Sequence, residues 1–329
     1  MNNLMFFALI FIIAFASTAI ATRYLISKFS KHRVGQTIRE EGPSWHMKKT
    51  GTPTMGGISF IMASFLVVLI SFVLLSSNEI IRIIDLVVFG VLNGFIGLID
   101  DLAKYRKKQN EGLKPLSKLI LQVIASVIYV VLLKLTVGIT TVIEIPILNF
   151  SFDLGILYYP IAIFVLCGFV NAVNLTDGLD GLASSVSLTS GMFLFVAGLL
   201  VFNSISLTTI GTLIVGIALG FLIFNLYPAK IFMGDTGSLF LGGIIAGSGV
   251  LLNNIFLVLG YGFVFLVEAM SVILQVVFFK ITKGKRLFMM APIHHHFEKK
   301  GWGEMKIVSI FTGVNAIICV VTLLSLVRL

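Results

Sequence analysis

The run from Ile83 to Lys108, IIDLVVFGVLNGFIGLIDDLAKYRKK, decides how the rest of the chain is read. Residues 83–99 are apolar apart from Asp85 and Asn93, over most of the roughly 20 residues that a membrane helix needs. The run ends on two adjacent aspartates, Asp100 and Asp101, and then on Lys104, Arg106, Lys107 and Lys108. A span that stops at paired acids and a cluster of cations reads as a helix leaving the bilayer at a charged surface.

Runs of the same kind recur along the whole chain. Ten are predicted: 4–22, 55–77, 83–99, 117–136, 156–173, 183–203, 207–225, 238–252, 255–280 and 307–327. With 329 residues, 57% of them hydrophobic, 12% charged and a mean hydropathy of +1.05, the chain is too apolar for an ordinary soluble domain. The predicted fold class is an all-α polytopic membrane protein, a single integral membrane domain over residues 1–329. The first run, Leu4–Ala21, has no basic region before it and no small-residue cleavage site after it, so it is expected to be a retained helix and not a signal peptide. Cys167 and Cys319 both lie in apolar runs and are expected to behave as small hydrophobes.

The net charge of +9 is explained by topology and not by nucleic acid. Of the 24 lysines and arginines, only Arg82, Lys134 and Arg328 fall outside the connections 23–54, 100–116, 174–182, 226–237 and 281–306 and the helix ends beside them. The positive-inside rule makes those five connections cytoplasmic and both termini external. On the other side, Thr140–Asp153 is rich in β-branched and aromatic residues, with Pro146 near its middle, and is predicted to form a short external hairpin.

Carboxylates at membrane helices cost several kcal/mol unless they are paired, hydrated or bound to a cation. Five of the fifteen acids, Asp100, Asp101, Asp177, Asp180 and Asp235, fall at the cytoplasmic mouths of predicted helices. Neighbouring positions on a helix point about 100° apart, so Asp100 and Asp101 are expected to have separate duties. In the segment Asn171-Ala-Val-Asn174-Leu-Thr-Asp177-Gly178-Leu-Asp180 a polar side chain recurs every third residue, laying amides and carboxylates along one stripe. The alternative is that these residues merely cap neighbouring helices.

The stretch from Asn225 to Ser238 contains Phe232-Met-Gly234-Asp235-Thr-Gly directly before an apolar run. Glycines at a helix start let backbone N–H groups approach an anion, and an aspartate among them can hold a divalent ion bridging phosphates. The triplet His294, His295 and His296 follows Lys285 and Arg286. Consecutive histidines splay apart, so hydrogen bonding to phosphate is expected in preference to a zinc site. Glu268 falls mid-span, which implies a tilt, a break or a buried partner; Gln275 faces either the cavity or a neighbouring helix.

Aspartates that can hold magnesium, backbone donors for phosphate, basic side chains and an aromatic platform on one membrane face describe phosphoryl transfer to or from a nucleotide diphosphate. A lipid acceptor accounts for the number of helices. Asp100-Asp101, the run from Asn174 to Ala183, Phe232-Met-Gly-Asp-Thr-Gly-Ser238, Pro292-Ile-His-His-His-Phe297 and Gly51-Thr-Pro-Thr-Met-Gly-Gly57 together resemble the phospho-N-acetylmuramoyl-pentapeptide-transferases, a branch of the polyprenyl-phosphate N-acetylhexosamine-1-phosphate transferases. The resemblance covers essentially the whole chain.

What it implies is an enzyme of the bacterial inner membrane, with its active site on the cytoplasmic face and commonly a homodimer. It would join UDP-N-acetylmuramoyl-pentapeptide to undecaprenyl phosphate with Mg2+, yielding lipid I and UMP. Carried over, Asp235 would be the metal ligand, with Asp100 and Asp101 the carboxylates on the acceptor side. The uridine would lie against Phe232, near Asn171, Asp177, Gly178, Asp180 and Gln275. Asn225, Lys104, Lys108, His294, His295 and His296 would contact phosphate or sugar, with Asn174 in the same wall and Gly234 in the phosphate-facing backbone.

Two mechanisms stay open at this level, direct attack by the lipid phosphate and a phospho-enzyme on an aspartate. A phosphate monoester has its second pKa at about 6, so the acceptor is already dianionic at neutral pH and gains little from a base. Direct attack is therefore expected, with Asp100 positioning. The nearer alternative is a UDP-N-acetylglucosamine:polyprenyl-phosphate transferase, against which the histidine triplet argues. A transporter would place its acids near the bilayer midplane, where only Glu268 falls.

Overall fold

The computed structural model describes residues 2–31, 51–107, 111–145 and 150–327. Twelve α-helices appear among them: α1 (Asn3–Lys31), α2 (Ile58–Leu74), α3 (Ser77–Lys107), α4 (Pro115–Thr136), α5 (Tyr158–Thr176), α6 (Leu182–Leu200), α7 (Ile205–Asn225), α8 (Gly234–Leu251), α9 (Leu257–Tyr261), α10 (Phe263–Ile281), α11 (Ile293–Lys299) and α12 (Glu304–Val327). Eight helices are long and apolar enough to cross a membrane. The chain is an all-α polytopic membrane protein.

The core is built around α8, in which every residue from Thr236 to Val250 is buried. That helix is made largely of Gly, Ala, Ser and aliphatic residues, a composition that lets neighbouring backbones come close where no hydrophobic force separates helix from lipid. It packs along α3, and α5 covers another side. Tyr129 of α4 reaches in to donate to the Gly247 carbonyl at 2.9 Å, its ring stacked on Phe89 with centroids 4.5 Å apart. Between α3 and α8 the closest approach is at Gly97, where an added Cβ would fall 2.2 Å from the Asp235 carbonyl oxygen. The first turn of α8, with Asp235 in it, is thereby pressed against the end of α3.

Three sequence expectations change. Residues 255–280 form two helices, α9 and α10, separated at Gly262. The break is satisfied by side chains from elsewhere: Val264 N–H donates to Asn315 Oδ1 at 3.1 Å, and the Tyr261 carbonyl accepts from Ser190 Oγ at 2.7 Å and Asn315 Nδ2 at 3.1 Å. Substituting Asn315→Leu removes these partners from a fully buried site. It is expected to destabilise the protein by about 1–3 kcal/mol, read as a lower thermal unfolding midpoint in detergent. The second change is that α8 begins at Gly234, not at 238, so the glycine-aspartate motif is the first helical turn itself. The third is that the connection 281–306 contains a short helix, α11, which carries the histidine triplet.

Strands β1 (Val142–Ile145) and β2 (Phe150–Asp153) pair antiparallel, Val142 opposite Asp153 and Ile145 opposite Phe150. They are tied to the α8–α9 connection by Asn253, which donates to the Val142 carbonyl at 3.0 Å and accepts from Thr140 N–H at 2.8 Å. Pro146 lies outside the described residues. At the bundle's other end, segments from all five basic connections meet. Gly56 and Gly57 N–H donate to the Phe232 and Met233 carbonyls, each at 2.9 Å, and Phe232 N–H donates to the Pro53 carbonyl at 2.8 Å.

Candidate active site

Asp235 is the centre of that meeting point. Gly234, at φ +70, turns the chain from the Phe232–Met233 segment into α8, a conformation that side chains other than glycine rarely adopt. Asp235 Oδ2 accepts from Lys118 Nζ at 2.7 Å and Lys104 Nζ at 3.0 Å, while Oδ1 accepts from Asn174 Nδ2 at 2.9 Å. Lys104 also reaches Asp100 Oδ2 at 2.7 Å. Helices α3, α4, α5 and α8 thus each contribute a charged or amide group to one point.

The adjacent aspartates divide their work. Asp101 is buried and accepts three hydrogen bonds from the start of α8: Asp235 N–H at 3.1 Å, Thr236 N–H at 2.9 Å and Thr236 Oγ1–H at 2.7 Å. Those N–H groups have no partner within their own helix, so Asp101 caps α8 from outside and fixes the direction of Asp235. Asp100, one position earlier, accepts Leu113 N–H at 2.8 Å and faces Lys104.

Carboxylate oxygens of Asp100, Asp101 and Asp235 lie within 4.8 Å of one another. Oxygen donors of this kind suit a hard divalent cation. Asp101 is committed to the start of α8 by three hydrogen bonds, whereas Asp100 and Asp235 have lysine ammonium groups among their partners, whose place a cation can take. Both now rest against lysine ammonium groups, so positive charge is what this cluster is built to receive. Asp177, at the end of α5, has its carboxyl held well above the ordinary aspartate range, first by burial and then by the charges of Asp235, Asp101 and Asp180.

Comparison with known proteins adds a second, independent line. Residues 83–253, from α3 to just beyond α8, match the family described as Glycosyl transferase family 4. The chain is 44% identical to the phospho-N-acetylmuramoyl-pentapeptide-transferase of Clostridium novyi over 97% of this chain and 96% of that one. The enzymes of the same name from Clostridium perfringens and Staphylococcus epidermidis are 43% and 44% identical, covering 96% and 93% of this chain and 95% of each relative. The chain belongs to the phospho-N-acetylmuramoyl-pentapeptide-transferase family.

Not every residue singled out for this transferase family from the motifs stands beside Asp235. Asn174 does. Asn171, one turn earlier on α5, is engaged with Gln122 of α4, donating to its Oε1 at 2.8 Å, and also donates to the Cys167 carbonyl at 2.8 Å. Asp180 is buried, accepts Ala229 N–H at 2.9 Å and donates from its own N–H to Glu304 at 3.4 Å. Gly178 lies against the His294 ring, close enough that a Cβ would fall 2.3 Å from Nε2. Phe232 is partly exposed, its backbone bonded to Pro53 and Gly56.

Two polar residues are committed to the scaffold. Asn225 donates to the Ile231 carbonyl at 2.9 Å and accepts from Ser184 at 3.0 Å, bracing the loop that carries Phe232. Gln275 Oε1 accepts Leu287 N–H at 3.1 Å and Phe288 N–H at 2.8 Å, tethering the loop before α11. In α11, His295 pairs with Glu298 at 2.6 Å, His296 accepts Met289 N–H at 3.1 Å, and His294 is fully buried. Lys108 lies outside the described residues. Motif reading missed Lys118, which reaches Asp235 more closely than Lys104 does. Its signal was a lone lysine at the start of the apolar run of α4.

Proposed function

We propose that this protein transfers phospho-N-acetylmuramoyl-pentapeptide from its UDP derivative to undecaprenyl phosphate, forming lipid I and UMP, at the cytoplasmic face of the bacterial inner membrane. One observation carries the reading. Asp100, Asp235, Lys104, Lys118 and Asn174, drawn from four helices, close on a single point at the end of the bundle where the basic connections gather. The names of the relatives supply the donor that fits this point.

In this reading all ten apolar helical regions span the bilayer, both termini and the β1–β2 hairpin are external, and the chain acts as one domain, commonly paired with a second copy. Asp100 and Asp235 would hold Mg2+, which when bound neutralises charge on the donor diphosphate. Lys104 and Lys118, beside the same carboxylate, would contact phosphate oxygens. A lipid phosphate oxygen forms the new bond to the β-phosphorus, and the bond from that phosphorus to the α–β bridging oxygen breaks. UMP leaves with the bridging oxygen. Asp100 orients the acceptor, since a phosphate dianion needs no base. Asn174 and Asp177, with Phe232 above them, form the wall for the nucleotide.

The test is to supply purified protein with UDP-N-acetylmuramoyl-pentapeptide, UDP-N-acetylglucosamine and undecaprenyl phosphate, and to identify the lipid product. Lipid I and UMP are expected, with formation stopped by EDTA and restored by Mg2+. A lipid-linked N-acetylglucosamine product would assign the chain to the other branch. Trapping a phosphosugar on the protein without lipid acceptor would overturn direct attack.

A further inference from the structure

Glu268 is a carboxylate in the apolar helix α10, and it is fully buried. Its Oε2 lies 3.1 Å from Nδ1 of His294, whose ring is equally buried. Among the described residues neither carboxylate oxygen and neither ring nitrogen has a hydrogen bond of good geometry. Buried polar atoms left in this way are rare and call for an explanation.

The surroundings point to one. On the far side of the ring, Nε2 faces the α-carbon of Gly178, where any side chain would collide with it. Gly178 belongs to the Asp177–Asp180 turn, whose Asp177 carboxylate senses the charge of Asp235. The neighbouring His295 ring, 4.1 Å away centroid to centroid, is occupied with Glu298. His294 is therefore held from behind by an acid in the membrane and presents its other nitrogen to the wall of the nucleotide site.

A carboxylate that grips one imidazole nitrogen fixes the orientation of the ring and what the other nitrogen offers. Held through Nδ1 by Glu268, the ring offers Nε2 to an anion. We infer that Glu268 is the positioning residue for His294, directing Nε2 past Gly178 to a phosphate oxygen of the bound nucleotide diphosphate. This rests on the donor site proposed above.

The experiment compares wild type, Glu268→Ala, Glu268→Gln, His294→Ala and the double alanine variant in the same lipid I assay, with kcat and both KM values resolved. Each single alanine variant is expected to lose on the order of 10–100-fold in kcat/KM for the nucleotide donor, with the KM for undecaprenyl phosphate unmoved. The double variant is expected to be no worse than the poorer single one, because the two side chains act as a unit. Glu268→Gln, whose amide oxygen still accepts from Nδ1, is expected to recover part of the loss. Wild-type kcat/KM in Glu268→Ala, or a double variant that loses the product of both factors, would overturn the inference. If Glu268→Ala does not fold, Glu268→Leu, which refills the buried volume, is read by the same outcomes. The wild-type arm separates the two readings: lipid I formed with the variants indifferent sinks the dyad alone, whereas no lipid I sinks the donor site and the dyad with it.

Discussion

Asparagine in place of Asp235 is expected to lower turnover at least about a thousand-fold, the scale at which a group stabilising the transferring phosphate acts, while the helical fold survives. The side chain keeps its size, and Asn174 retains a partner. What disappears is the charge that holds Lys118 at 2.7 Å and Lys104 at 3.0 Å, together with one carboxylate of the cluster that could hold a cation. Lys104 retains Asp100, whereas Lys118 loses the only anionic contact found for it among the described residues. Initial rates of lipid I formation, alongside thermal unfolding by circular dichroism, separate the chemical loss from any structural one.

Gly97→Ala is expected to have the next largest effect, although it touches no substrate. The new Cβ would lie 2.2 Å from the Asp235 carbonyl oxygen and 2.3 Å from its carbonyl carbon. These are backbone atoms and cannot swing away, so α3 and the first turn of α8 must separate. Overpacking of this kind costs about 1–3 kcal/mol. A displacement of about 1 Å at a reacting group can lower the rate by roughly 100-fold. Both losses are expected together, as a lower unfolding midpoint and a lower kcat. Gly168→Ala supplies the contrast: it lies in α5 with nothing within 4 Å of the added atom, so stability and rate should hold.

The all-α membrane character was legible from sequence because it depends on composition over long windows: each of the ten apolar runs is mostly helical, and eight helices are long and apolar enough to cross a membrane. Interruptions were not. The break at Gly262 is held by Asn315, 53 positions further along in α12, and local patterning carries no trace of that partner. Glu268 could be seen as anomalous within its run, yet its companion, His294, comes from another segment and could not be named.

The candidate site divides along the same line. Asp235, Asp100, Lys104 and Asn174 stood out as polar residues at helix mouths, and the structure brings them together. Adjacency alone could not tell that Asp101 serves the start of α8 while Asp100 pairs with Lys104 and the Leu113 N–H, since this depends on where α8 begins. Asn225 was expected at phosphate or sugar only by resemblance and Gln275 was open between the cavity and a neighbouring helix; in the fold both bond to nearby backbone. Lys118 was hidden by its position at the edge of an apolar run.

The central claim is that side chains from separate helices gather around Asp235 to hold one divalent cation. Titration of the purified protein with Mn2+, followed by electron paramagnetic resonance, tests it most directly. Saturable binding to wild type and to Gly168→Ala is expected, with binding lost in folded Asp235→Asn. Equal binding by Asp235→Asn and wild type would contradict it.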